Sequence, residues 1–203
     1  MKPAVKYESP LRDEQKAETR RRIVAAAERL MQDADLVELT FAAVAREAGV
    51  QERTVYRHFA TKGDLLDALW DALDPRIGTA SFPDSEATLV EAPRRVFPAF
   101  DDNENLMRAF WSTPQGREFR LRVNDKRKAA IRKAVADAVK DLPANEARWV
   151  TAAAQLLYSG AAWQTMKDYW GFSGDEAGKA SSFMLQLIFD AARRRANAKG
   201  PKS

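Results

Sequence analysis

Residues 40–66, TFAAVAREAGVQERTVYRHFATKGDLL, read as two short helices joined by a tight turn, with a third helix opening directly behind them. Phe41, Val44, Ala45 and Ala48 recur at three- and four-residue spacing, the apolar stripe of an amphipathic helix. Gly49 ends that helix, because glycine enters the left-handed conformation of a C-cap at little steric cost. A second helix is expected from about Gln51 to Phe59. At about 100° per residue, Val55 and Phe59 share one face, and Arg53 and Arg57 centre roughly 160° away. One side packs, and the other offers two guanidinium groups flanked by Thr54 and Tyr56. That is the form of a helix that reads the major groove of DNA.

Each residue around this helix has an expected role. Arg53 is the first choice for a base-edge contact, to guanine; Gln51 and Thr54 can read base or phosphate, and Arg57 base or backbone. His58, the one histidine of the chain, is expected to bond a phosphate or hold a neighbouring turn. Glu52 favours the helix dipole and would repel DNA unless it accepts from cytosine. Thr40 is the N-cap of the first helix, and its hydroxyl with the free N–H groups behind it makes a ready phosphate site. Thr61-x-x-Asp64 is a capping box opening the next helix. Lys62 in that first turn conflicts with the helix dipole, a local inconsistency that a functional position produces and a DNA phosphate would resolve.

The segment FAAVAREAGVQERTVYRHFATKGDLL resembles the helix-turn-helix of TetR-family transcriptional regulators: AGV at the turn, TVYRHF in the reading helix, and Lys62 opening the next helix. With the preceding helix the resemblance covers about residues 19–73; the remaining two-thirds is similar only in length and helicity. It implies a phosphate contact at Thr40, a backbone-contacting hydroxyl on Tyr56 and a phosphate partner for Lys62. Two positions depart from the family pattern. Gln51 stands where a small capping residue is usual, which weakens one phosphate contact, and Gly63 stands where a helix-favouring residue is commoner.

Composition bounds the rest. The chain has 203 residues, 45% hydrophobic and 31% charged, with a net charge of +4 and no cysteine. The positive balance favours an acidic partner, and the missing cysteines exclude disulfides, thiolate metal sites and a cysteine nucleophile. A reducing, cytoplasmic compartment is expected. The N-terminus is charged and shows no signal peptide. Trp149 to Met166 carries no charge but holds Thr151, Gln155, Ser159, Gly160 and Gln164, so a buried or partner-facing helix is expected there rather than a membrane span.

In order, residues 1–14 read as a flexible N-terminal arm, with Lys2, Lys6 and Arg12 as candidates to trail along DNA. A first helix is expected over about 15–32, its stripe formed by Ile23, Ala27, Leu30 and Met31 and its charges by Arg20, Arg21 and Arg22. Asp33-Ala34-Asp35 marks the following turn. The helix-turn-helix DNA-binding domain is assigned to 15–73, closed by the stripe Leu65, Leu66, Leu69, Trp70 and Leu73. Pro75, Gly78 and Pro83 mark a break over 74–83. A helical ligand-binding and dimerisation domain is assigned to 84–196, with helices over about 84–98, 103–112, 115–141, 144–170 and 174–196. The fold class is therefore all-α: an N-terminal three-helix helix-turn-helix domain followed by a helical C-terminal domain.

Within the second domain, Arg117, Arg120, Arg122, Lys126, Arg127, Lys128, Arg132 and Lys133 face only Glu118 and Asp125. They form a solvated helix face, a counter-ion for an acidic ligand, or a surface near DNA. Phe97, Phe100, Met107, Phe110 and Trp111, with Tyr158, Trp163, Met166, Tyr169 and Trp170, are dense enough to line a cavity for a flat or greasy small molecule, and packing into the core explains most of them equally well. In the last helix Ala177, Ala180, Ser181, Met184, Leu187, Ile188 and Ala191 form an apolar stripe, and Phe183 and Phe189 add surface beyond one packing face. The extra surface, with the family resemblance, implies a homodimer through 144–170 and 174–196.

The expected function is a DNA-binding transcriptional repressor that dimerises on a palindromic operator in double-stranded DNA and is released by a small hydrophobic or aromatic effector. No cofactor, metal or membrane partner is expected. The alternatives are an all-α small-molecule carrier or enzyme and a sequence-indifferent DNA binder. Catalysis has little support: no phosphate-cradling glycine loop or metal spacing appears, and Asp101, Asp102 and Glu104 sit beside a turn that needs polar residues anyway.

Overall fold

The computed structural model describes residues 10–33, 39–77, 82–112 and 114–198. Those residues form eleven helices and no strand: α1 Pro10–Asp33, α2 Phe41–Ala48, α3 Glu52–His58, α4 Lys62–Ile77, α5 Glu86–Asp101, α6 Glu104–Ser112, α7 Pro114–Arg122, α8 Asn124–Val139, α9 Ala144–Leu157, α10 Gly160–Trp170 and α11 Gly174–Ala198. The fold is all-α, and the chain divides into two compact units, residues 1–72 and 73–203. Among the described residues no helix is long and apolar enough to cross a membrane.

In the first unit α1 begins at Pro10, so residues 10–14 of the expected arm are helical. Proline suits a first helical position, where its missing N–H costs no hydrogen bond. Lys2 and Lys6, and the turn expected at Ala34 and Asp35, lie outside the described residues. Ile23, Val24, Ala26 and Ala27 are buried on α1, as are Phe41, Val44, Ala45 and Ala48 on α2. Helix α4 runs into the expected break as far as Ile77 and contains Pro75, which removes the bond to the carbonyl one turn earlier without ending the helix.

The second unit is organised by α5 and α11, which pack along one another. Gly174 and Gly178 let α11 reach the backbone of α5: a Cβ on Gly178 would stand 2.7 Å from the Pro93 carbonyl oxygen, and one on Gly174 would collide with that of Phe97. Ala177, Ser181, Ser182, Leu185, Phe189 and Ala192 continue the buried face. Pro93 and Pro98, the latter expected as a separator, both lie inside α5.

Two expected helices are each divided. The segment 115–141 breaks at Val123, with neither proline nor glycine to announce it. The segment 144–170 breaks at Tyr158 (φ −96°, ψ 56°), where the Ser159 hydroxyl accepts from the Ala162 N–H and caps α10. Gly171 (φ 67°) then ends α10 in the left-handed conformation.

The candidate nucleic-acid interface and the helical unit

The turn between α2 and α3 is closed by backbone bonds that depend on one glycine. Gly49 lies at φ 64°, its N–H reaches the Arg46 carbonyl at 3.2 Å, and the Val50 N–H reaches that of Ala45 at 2.9 Å. This paired closure satisfies carbonyls that a helix end otherwise leaves orphaned. The Arg22 guanidinium on α1 adds a bond of 2.7 Å to the Ala48 carbonyl, and Arg29 pairs with Glu47 at 2.7 Å. At the other end of α2 the Thr40 hydroxyl accepts the Ala43 N–H at 3.1 Å.

Helix α3 is anchored by Val55 and Phe59, at 0% and 1% exposure, and α1 holds Arg20 over the Phe59 ring at 4.7 Å. The Phe41 ring meets Tyr56 edge-on at 4.7 Å, which steadies the phenol while leaving it 55% exposed. Gln51, Glu52, Arg53 and Arg57 are exposed, and Thr40, Thr54, His58 and Lys62 half-buried. Gln51 occupies the N-cap of α3 but makes no capping bond with its side chain. The box opening α4 is reciprocal: the Asp64 N–H donates to the Thr61 hydroxyl at 3.1 Å, and the Thr61 N–H to the Asp64 carboxylate at 2.9 Å.

The electrostatics of this surface show at His58. Burial first, then the charges of Arg57, Lys16 and Arg20, hold its pKa below the ordinary 6.5. A half-buried imidazole among three cations reports a positive local potential. Lys16 had no place in the sequence reading; its spacing of four from Arg20 on α1 was the available signal. The arginines at 20–22 divide by role: Arg20 stacks on Phe59, Arg21 pairs with Glu18, and Arg22 caps α2.

In the second unit the aromatic residues do not form one set. Phe97, Phe100, Met107, Phe110, Tyr158 and Trp163 are buried, whereas Trp111 and Met166 are half-buried. Phe100 lies 5.7 Å from Phe97 and 5.6 Å from Trp163. Trp170, expected with them, is 73% exposed at the end of α10 beside Tyr169, because both project from the last turn before Gly171.

Asp101 ties three elements together. Its carboxylate accepts the Trp163 indole N–H at 2.8 Å, the Lys167 ammonium at 3.1 Å and the Gly174 N–H at 2.6 Å. Burial alone would raise its pKa; these hydrogen bonds outweigh it and hold the group low. Lys167 also pairs with Glu104, and Arg108 bridges Glu104 and Asp168. The acidic cluster beside the turn thus serves to bind α5, α6, α10 and α11. Among the described residues no group of three or more His, Cys, Asp or Glu could hold a metal ion.

Residues 23–69 match a family model described as bacterial regulatory proteins, tetR family. Among solved structures, the chain is similar to a tetR-family transcriptional regulator from Streptomyces coelicolor at 16% identity and a TM-score of 0.61, covering 92% of this chain and 91% of that one. It is also similar to NalD of Pseudomonas aeruginosa, the secondary repressor of a multidrug efflux pump, at 18% identity and 0.54, covering 87% and 96%. A TetR transcriptional regulator from Rhodococcus sp. RHA1 aligns at 20% identity and 0.51, covering 87% and 98%. No curated protein matches the chain in sequence.

Proposed function

The chain belongs to the TetR family of DNA-binding transcriptional regulators, and from that premise we propose that it is a repressor acting as a homodimer on a palindromic operator. The observation that carries this reading is the division of α3. Val55 and Phe59 are buried while Arg53, Arg57 and Tyr56 face outward, so the helix can enter a major groove without disturbing its own core. Arg53 reads a base edge, with Gln51, Thr54 and Arg57 beside it; Thr40, Tyr56, His58 and Lys62 hold phosphates on either side. In this reading residues 15–73 act as the DNA-binding domain and 84–196 as the ligand-binding and dimerisation domain.

The proposed dimer surface is the apolar face left over on α9 and α11. Trp149 and Leu156 are 63% and 59% exposed, and Phe183, Met184 and Leu187 are 57%, 41% and 41% exposed. Two helices from each subunit would close into a four-helix interface around a two-fold axis. Two reading heads would then address half-sites about 34–36 Å apart. A small apolar or aromatic effector binding among the helices of the second unit would favour a spacing of the heads that mismatches the operator, a coupling typically of about 1–3 kcal/mol. The protein is proposed to act in the cytoplasm, without cofactor and without catalysis.

The test is affinity for a palindromic site, selected from random sequence, against random DNA across a range of salt. Tighter binding to the selected site, with a steep fall as salt rises, is expected. Equal affinity for both would make the protein a sequence-indifferent binder. No binding to either would leave a small-molecule carrier.

A further inference from the structure

The basic segment running from α7 into α8 contains a charge that no carboxylate among the described residues neutralises. Arg120 is accounted for: one guanidinium nitrogen donates to the Phe110 carbonyl, another to that of Trp111 at 3.4 Å, and its plane covers the Trp111 ring at 4.4 Å. It therefore caps the C-terminus of α6, where a cation is favoured. Arg127 is different. It is half-buried with its guanidinium 5.4 Å over the Phe82 ring, and no carboxylate among the described residues lies within ion-pair distance of it or of Arg120.

Burial first, then the nearby charges of Arg127 and Arg117, lower the pKa of Arg120. For Arg127 burial alone drives the same shift, opposed only by the Tyr158 phenol. A half-buried cation beside another cation, with no counter-ion among the described residues, is a costly arrangement. An anion would remove that cost.

The surroundings state what kind. Tyr158 is the residue at which α9 breaks from α10, and Gly160 just beyond it has no room for a Cβ because the Trp111 indole occupies that space. The half-buried rings of Trp111 under Arg120 and of Phe82 under Arg127 thus place apolar surface directly beside the two guanidinium groups. A planar guanidinium suits a carboxylate in a bidentate arrangement, and rings beside it suit an apolar body.

We propose that Arg127, with Arg120 beside it, binds the carboxylate of a small apolar organic acid at the α9–α10 break, and that this acid is the effector. The inference rests on the regulator reading only for the word effector; the anion site itself stands on the arginines and their neighbours.

The experiment follows thermal unfolding and calorimetric binding of the full chain with benzoate, decanoate, benzamide and inorganic phosphate. Saturable stabilisation by at least one of the two acids is expected, with none from benzamide or phosphate. Arg127→Gln weakens acid binding roughly tenfold or more, the loss of a charge-assisted bond. Arg127→Met, measured without acid, melts at or above the parent temperature because an uncompensated cation is gone. No stabilisation by either acid, an equal response to phosphate, an unchanged response in Arg127→Gln, or a lower melting temperature for Arg127→Met overturns the proposal. Operator binding is measured separately with the same acids. Acids that bind at Arg127 without loosening the operator complex leave the site and remove the effector role, whereas failure of the acids on a protein that still selects its operator leaves the regulator reading intact.

Discussion

Arg53 and His58 lie on the same short helix and make opposite demands on their surroundings. Arg53 is exposed, so truncating it removes no packing. Arg53→Ala is expected to weaken a selected operator by about 1–3 kcal/mol and to relax preference at one base pair, as checked by binding to a panel of single-base variants. A uniform loss across the panel would assign it to the backbone instead. His58 resists protonation in the folded protein, first through burial and then through Arg57, Lys16 and Arg20. The unfolded chain takes up a proton near pH 6.5, before the folded one does. Stability is therefore full above that pH and falls as pH drops through 6.5 toward the lowered folded value. Denaturant titrations between pH 5 and 8 (roughly the range over which histidine changes charge) should show that loss, and His58→Gln should flatten it. A slope unchanged by the substitution would place the titrating group elsewhere. Ser182 gives a third case: its hydroxyl is buried without a hydrogen-bond partner among the described residues. Ser182→Ala removes an unsatisfied group and is expected to leave the melting temperature equal or higher; a fall would reveal a partner for the hydroxyl.

Between elements, the contact of α11 with α5 depends on what is missing from two side chains. Gly178→Ala would bring a methyl to 2.7 Å of the Pro93 carbonyl oxygen, which is backbone and cannot swing aside. The helices must separate, and a destabilisation of about 1–3 kcal/mol is expected by denaturant unfolding. Gly171→Ala is the control of a different kind, since its Cβ meets nothing but its φ of 67° strains any other residue. Ser159–Gly160 shows how an element boundary escapes periodicity. The apolar pattern runs on through both residues, yet the Ser159 cap and the Trp111 indole seated against Gly160 divide the helix there. The break at Val123 carries no local signal at all.

For the whole molecule, the apolar stripe read along α11 separates into two faces. Ala177 and Ser181 join the core of the second unit with Leu185 and Phe189, whereas Met184 and Leu187 are exposed with Phe183. Ile188, half-buried, lies at the edge of the two. Leu187→Asp is therefore the cleaner probe of self-association: monomers are expected in sedimentation, with the melting transition of the subunit retained. An intact dimer would move the interface off α11.

What the amino-acid sequence determined alone was the local part: Thr40 as a cap, Gly49 as a left-handed stop, the Thr61–Asp64 box, and an α3 whose apolar and basic sides lie apart. Each is a property of neighbours within one helical turn, where chemistry and spacing suffice. The tertiary structure decided what depends on residues far apart in the chain. It gave Arg20 and Arg22 to Phe59 and the Ala48 carbonyl, Asp101 to Trp163 and Gly174, Trp170 to the surface, and Arg127 no carboxylate among the described residues. A side chain of one helix can be assigned a partner only once another helix has been laid against it, and periodicity within a single element contains no record of which helix that is.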